Sequence, residues 1–431
     1  MKVDELFRFN EWWDSGKVNE TNLEKYKRYL FPKLLKFLQD KQIILLTGLR
    51  RVGKTRLLYQ IIQYLLDKNV NPKKILYFSF DEEAFDVKDV IETYRTGVLR
   101  KDFKQVDKIY MFFDEIHKVK DWENKIKSYY DLNPNVKIFV SGSASLILSK
   151  KSRESLAGRI YEFVLKPLTF AEFLEMKNVK VNFEDAKLLN QKILPYFSDF
   201  IRKAGFPEII NEEDEEKIRS YVKLSVIERI IYRDIPKEFG KVDVGLLEIL
   251  VNLFFKNPGS TLNIENLSKD LRRNKRTLMN YIHYIELSLL INLVSNFRPS
   301  ALAGSRKNRK AYPSTSSLIF SLTGRFNDDI IGKVLETAFC SETGAKYYFR
   351  KGDKEIDFLL IGNKKTIPVE IKHKKSETDV KRFASIIKKL NLSEGIMLTF
   401  DTFENYEKGA KVLICPVWAF LLFKDKIIAQ L

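Results

Sequence analysis

Residues 48–55 constrain the fold of this chain more than any other stretch: Gly48-Leu49-Arg50-Arg51-Val52-Gly53-Lys54-Thr55 is a complete G-x-x-x-x-G-K-[ST]. The apolar run 42–47 before it has the length of a buried strand, and 56–66 after it has helical period. A glycine turn between strand and helix aims successive backbone N–H groups and the positive helix end at one point, which makes a cradle for phosphate. The loop and the residue that follows it, Gly48 to Arg56, are therefore expected to bind ATP. Lys54 has the reach for the β and γ phosphates, and the Thr55 hydroxyl suits Mg²⁺.

Strand-length apolar runs recur at 75–80, 109–113 and 136–141, separated by helix-length stretches, as in a parallel sheet buried on both faces. The second of these ends in two acids, Asp114 and Glu115. Asp114 is expected to hold Mg²⁺ through water and Glu115 to polarise the attacking water, so the pair predicts hydrolysis as well as binding. The third ends in Ser141-Gly142-Ser143, which makes Ser143 a candidate for sensing the γ-phosphate. Small polar residues also end strands for turn reasons alone.

Composition bounds the rest. A length of 431 residues argues for about three units. With 45% hydrophobic and 31% charged residues the chain has ample material for packed cores. The cysteines Cys340 and Cys415 and the scattered His117, His283 and His373 exclude a disulfide scaffold or a His/Cys zinc site as organising features. No uncharged apolar run approaches the ~18 residues of a membrane span. The start, Met-Lys-Val-Asp-Glu, has no apolar secretion segment. A cytoplasmic protein without a membrane partner is expected. With 75 Lys+Arg against 57 Asp+Glu, the net charge of +18 favours polyanionic partners, unless it is only a solvated lysine-rich surface. Trp12-Trp13 and the other large aromatics are expected in cores rather than as base-stacking platforms.

Together with the phosphate loop and its Arg50-Arg51, the chain carries Asp114-Glu115, Gly142-Ser143-Ala144-Ser145, Leu156-Ala157-Gly158-Arg159, Pro167-Leu168-Thr169-Phe170-Ala171-Glu172-Phe173, Gly205-Phe206-Pro207-Glu208 and Tyr232-Arg233-Asp234-Ile235. In order and spacing, over nearly the whole chain, this resembles the AAA-type ATPases of archaea and bacteria that end in a domain of unknown function, DUF4143. The resemblance implies an arginine that reaches the γ-phosphate of its own or a neighbouring subunit, and Arg159 is the candidate, with Arg153 behind it. A plain structural salt bridge is the alternative role for Arg159. Where the family often has an acidic residue, this chain has Ser314-Thr315-Ser316.

Residues 263–269, 275–287 and 289–295 read as helix, turn, helix and strand, and resemble a winged helix whose second helix enters DNA. Between Thr261 and Tyr312 there are ten Lys and Arg against three acids, so the basic charge is localised. Arg272, Arg273, Lys275 and Arg276 sit at the helix entry, and Arg306, Lys307, Arg309 and Lys310 are placed on the wing, suited to the phosphates of duplex DNA. Docking of a protein is the other use of such a module.

The last region presents Asp357 on one expected strand and Glu370 and Lys372 on the next, a D…E-x-K pattern. Side chains alternate along a strand, so Glu370 and Lys372 share a face, and a hairpin brings Asp357 beside them. Asp357 and Glu370 are then candidates to hold Mg²⁺, with Lys372 steadying a water for phosphodiester attack. Glu336, on the preceding helix, resembles the helix acid that restriction-endonuclease-like folds add as a metal ligand. The expected architecture is α/β: a P-loop AAA+ ATPase domain with a parallel sheet over 1–180, a helical lid and winged-helix module over 181–320, and a restriction-endonuclease-like PD-(D/E)XK domain over 321–431. The expected function is Mg²⁺-dependent ATP binding and hydrolysis coupled to DNA contact, with a nuclease-like C-terminal domain. The alternative is a nucleotide switch acting on protein partners, as a homo-oligomer or with another protein, whose C-terminal domain is inactive.

Overall fold

The structure, a computed structural model, describes residues 1–81, 85–142, 155–297, 309–362 and 365–431. Ser143, Arg153, Arg306 and Lys307 lie outside the described residues. The chain divides into two compact units, Met1–Lys166 and Pro167–Leu431.

The first unit is built on five parallel strands, β1 (Ile43–Gly48), β2 (Ile75–Ser79), β3 (Ile109–Asp114), β4 (Val136–Ser141) and β5 (Ile160–Leu165). Their order is β2-β3-β4-β1-β5. Every residue of β1, β3 and β4 is buried, as continuous apolar runs in a sheet covered on both faces require. The helix Lys54–Asp67 follows β1. Its sequence, without Gly or Pro, sends Leu57, Leu58, Ile61, Ile62 and Leu65 into the core at helical spacing.

The open edge of β2 is covered by the N-terminal segment. The buried Asn10 acts as a surrogate strand residue: its Oδ1 accepts from Tyr77 N (2.7 Å) and its Nδ2 donates to Tyr77 O (2.9 Å). Trp12 and Trp13 donate their indole N–H groups to Ile75 O, at 3.2 and 2.8 Å. Both rings are buried in the core, so every edge group they meet is either paired or shielded.

The second unit holds a nine-stranded mixed sheet. In chain order its strands are β6 (Ser260–Thr261), β7 (Ile291–Asn296), β8 (Arg309–Pro313), β9 (Tyr347–Lys351), β10 (Lys354–Ile361), β11 (Thr366–Ile371), β12 (Glu394–Thr399), β13 (Glu404–Tyr406) and β14 (Lys411–Pro416). In space the order is β13-β14-β12-β11-β10-β9-β7-β8-β6. The expected boundary near residue 320 is therefore spanned by one sheet. β7 pairs with β9 in parallel, and the Asn296 side chain lengthens that ladder by bonding Arg350 N and O, each at 3.0 Å. Between β5 and β9 the chain is mainly helical, and it includes the succession helix Val244–Lys256, β6, helix Ile264–Asp270, helix Lys275–Leu287, then the hairpin partners β7 and β8. Among the described residues no helix is long and apolar enough to cross a membrane.

Candidate functional site

In the first unit the phosphate loop leaves the carboxyl end of β1, and the ends of β3 and β4 lie beside it, where open α/β sheets place their ligands. A side chain at Gly48 would put a Cβ 2.5 Å from Leu165 O, so only glycine fits against β5. Arg51 (φ 66°) and Gly53 (φ 97°) both adopt left-handed backbone, which curls the loop into a concave array of amides. Leu49 and Val52 bury their side chains, so at these positions the loop offers a phosphate its backbone. Lys54 is 7% exposed, and its ammonium donates to Gly48 O and Leu49 O, both at 3.1 Å. Arg56 sends its guanidinium to Thr21 O (2.6 Å) and Asn22 Oδ1 (3.0 Å), which leaves its backbone N–H as the group it can offer a phosphate.

Asp114 is the hub of the site. Its carboxylate, 2% exposed, accepts from Thr55 Oγ1 at 2.5 Å, from Tyr77 OH at 3.1 Å, from Glu115 N at 3.1 Å and from the Ser141 hydroxyl. A buried charge needs such a set of donors. Burial, and next the Asp114 charge, push the Tyr77 phenol well above its ordinary range, so Tyr77 remains a donor. Sequence reading did not find Tyr77, because nothing in the β2 run marks one aromatic residue as polar in use. Glu115 takes left-handed backbone (φ 52°), and its carboxylate lies 3.4 Å from His117 Nδ1.

The hydroxyl of Thr55 and the Asp114 carboxylate form a cluster of hard oxygen donors that fits Mg²⁺. Among the described residues no three acids, His or Cys gather into an all-protein metal cage. Mg²⁺ takes one or two protein oxygens and completes its shell with phosphate and water.

Arg159 sits away from its own chain's phosphate loop and takes up the salt-bridge alternative. It precedes β5, and Ile43 at the start of β1 donates to Arg159 O at 2.8 Å. The phosphate loop begins at the far end, where Gly48 pairs with Leu165, roughly 17 Å away at ~3.3 Å per residue. There Arg159 makes a two-pronged ion pair with Asp131, at 2.9 and 3.2 Å. It does not reach its own chain's phosphate site.

In the second unit, Arg272, Arg273, Lys275 and Arg276 are all exposed around the start of helix Lys275–Leu287, which Asn274 caps. Two of them are engaged, Arg273 with Asp243 (2.7 Å) and Lys275 with Glu265 (3.2 Å). Arg309 is half-buried on β8. Lys310 is 2% exposed and turned inward, which corrects its expected place on a DNA-facing wing.

Lys310 joins the acids of the C-terminal strands. Continuing the Phe358↔Val369 register, Asp357 stands across from Glu370 on β10 and β11, at a bulge between Ile356 and Leu359. Asp357 Oδ2 accepts from Ile371 N at 2.9 Å, and Lys372 lies 2.9 Å from Glu370 Oε1. The expected trio is thus brought together. Burial, and then the Asp357 charge, push Glu370 up to about 7. Glu336 lies in the same acid cluster, where Lys333 and Tyr312 OH each donate to it at 2.8 Å. Burial and the Asp357 charge also raise Glu336.

Residues 40–174 match the model of an AAA domain, residues 195–329 a domain of unknown function, DUF8612, and residues 330–420 a second, DUF4143. The chain thus carries an AAA-type domain followed by a C-terminal DUF4143 domain, and the AAA match supports a nucleotide-binding ATPase. An uncharacterized protein of Methanocaldococcus jannaschii is 29% identical over 392 residues, covering 87% of this chain and 85% of that protein. A second from the same organism is 28% identical over 450 residues, covering 94% and 91%. Among solved structures, Cdc6p from Pyrobaculum aerophilum aligns over 74% of this chain and 98% of its own at 12% identity, a loose likeness with a TM-score of 0.28.

Proposed function

We propose that this protein binds ATP with Mg²⁺ in the cradle of residues 48–55, hydrolyses it with Glu115 orienting the water, and couples the nucleotide state to contact with duplex DNA. The observation that carries the nucleotide part is the buried Asp114 carboxylate, which ties the Thr55 hydroxyl of the loop to the ends of β3 and β4. Thr55, with Asp114 beyond it, is the place for Mg²⁺, which when bound neutralises phosphate charge. Lys54 turns its ammonium within the loop mouth, where it meets the β and γ phosphates. Glu115 holds its carboxylate at the lip of the same sheet end, beside His117, for activating water.

DNA contact draws support from the exposed basic residues at the entry of helix Lys275–Leu287 and from the winged-helix order of helices and hairpin around it. Docking of a protein partner is favoured by a different observation: Met279 and Ile249 are about half exposed on two helices of that module, while Arg273 and Lys275 are already paired. ATP turnover measured with Mg²⁺, with and without duplex DNA, tests the proposal. Turnover that requires Glu115 and changes with DNA is expected, and turnover indifferent to DNA would favour the protein-docking reading.

A further inference from the structure

The acidic pocket of β10 and β11 contains a cation of the protein's own. Lys310 arrives on β8 with its ammonium 2.5 Å from Glu355 Oε1 and 4.0 Å from Asp357 Oδ1. It stands 4.9 Å from the centre of the buried Tyr348 ring. The Lys310 side chain is 3% exposed. Burying an ammonium is costly, so its position is justified by the negative charge it meets.

The other acids are matched in the same way. Lys372 holds Glu370, Lys333 holds Glu336, and Arg350 lies 3.5 Å from Glu355. Four acids, Glu336, Glu355, Asp357 and Glu370, thus face four bases, Lys310, Lys333, Lys372 and Arg350. With every member ionised, the charges of the cluster cancel. A divalent ion would add two charges to a largely buried pocket and would bring like charge against Lys310 beside Asp357. Among the described residues, a single carboxylate oxygen of the cluster, Glu370 Oε2, is buried without a donor.

We propose that Lys310 is a resident counter-ion: its ammonium takes the place of a divalent metal at the Asp357–Glu370 pair and closes the pocket to Mg²⁺ and Mn²⁺. The lysine belongs to the strand that joins the helical module to this sheet, so the pocket is an internal electrostatic bond between β8 and β10 rather than a cleavage site. Nothing in this depends on the nucleotide site.

The test is Mn²⁺ binding to the nucleotide-free full-length chain, followed by electron paramagnetic resonance and calorimetry. Wild type and Asp357→Asn should bind Mn²⁺ identically. Lys310→Met, which keeps the stem and removes the charge, should gain one site per chain at least tenfold tighter than any that Asp357 supplies in wild type. Lys310→Met/Asp357→Asn should lose it. A wild-type Mn²⁺ site that disappears in Asp357→Asn overturns the proposal, as does a folded Lys310→Met that gains no site. If Lys310→Met does not fold, the comparison of wild type with Asp357→Asn decides alone, an Asp357-dependent site refuting the proposal and identical binding supporting it.

Discussion

Thr55 donates its hydroxyl to Asp114 at 2.5 Å, joining the first turn of the phosphate-loop helix to the last residue of β3 across the intervening strand β4. Residues 59 positions apart thereby become one oxygen cluster, and the geometry assigns separate jobs to their neighbours. Lys54→Ala should abolish productive ATP binding, because it removes the charge that meets the β and γ phosphates. Glu115→Gln should keep ATP affinity and slow turnover by roughly 10²–10⁴-fold, the range for loss of a positioned base. Equilibrium binding of ATP set beside steady-state turnover separates the two, and wild-type turnover by Glu115→Gln would exclude a water-activating role.

Tyr77 supplies one of the donors that hold the buried Asp114 carboxylate in place. Tyr77→Phe keeps the ring against Tyr59 and Trp12 but removes the O–H. The loss of one hydrogen bond to a buried carboxylate should cost about 1–3 kcal/mol of stability. Because Asp114 then has one donor fewer, the Mg²⁺ requirement for turnover should change, while ATP binding through the loop amides should not. Denaturant melts and Mg²⁺ titrations of turnover measure both, and an unchanged melt with an unchanged Mg²⁺ profile would show the bond to be idle.

Asn10 binds both backbone groups of Tyr77 from a segment outside the sheet. Asn10→Ala leaves a buried N–H and C=O without partners, at about 1–3 kcal/mol each. In a unit of this size that lowers the melting temperature by roughly 2–4 °C per kcal/mol. Asn10→Asp should restore the acceptor only, recovering the Tyr77 N–H bond but not the Tyr77 O bond, and so should fall between the two in a thermal melt.

Local patterns of the sequence correspond closely to local features of the fold. The run 136–141 is β4 to the residue, and the expected helix 275–287 is Lys275–Leu287. Continuous apolar runs and a capped amphipathic stretch carry their own signal. β5 did not announce itself, because only Phe163 and Leu165 are buried and it reads as a mixed edge strand. The sheet that crosses residue 320 was equally hidden, since β7 and β9 meet mainly through backbone bonds and the Asn296 side chain. Lys310 was misplaced for a related reason. A lysine in a basic stretch looks solvated until the strand register carries it against Glu355 and Asp357, 45 and more residues away. Arg159 shows the same limit, since its spacing in the motif is regular while its end of the sheet is set by the pairing of β1 with β5.

The basic helix entry offers a graded prediction because its four cations are not equivalent. Arg273 and Lys275 already share charge with Asp243 and Glu265. Among the described residues no ion pair occupies Arg272 or Arg276, and both are exposed. A cation that must leave a carboxylate to meet a phosphate returns less on binding than one that has only water to give up. Arg272→Ala/Arg276→Ala should therefore weaken duplex DNA binding more than Arg273→Ala/Lys275→Ala. Each DNA phosphate deprived of its cation should reduce the slope of log affinity against log salt by ~0.9. Fluorescence anisotropy over a salt series gives affinity and slope together, and basal ATP turnover should survive in both variants because the substitutions lie in the other unit. Equal losses from the two pairs would mean that the surface ion pairs are too weak to matter, as many exposed pairs are. No loss from either pair, in folded protein, would assign this face to a protein partner.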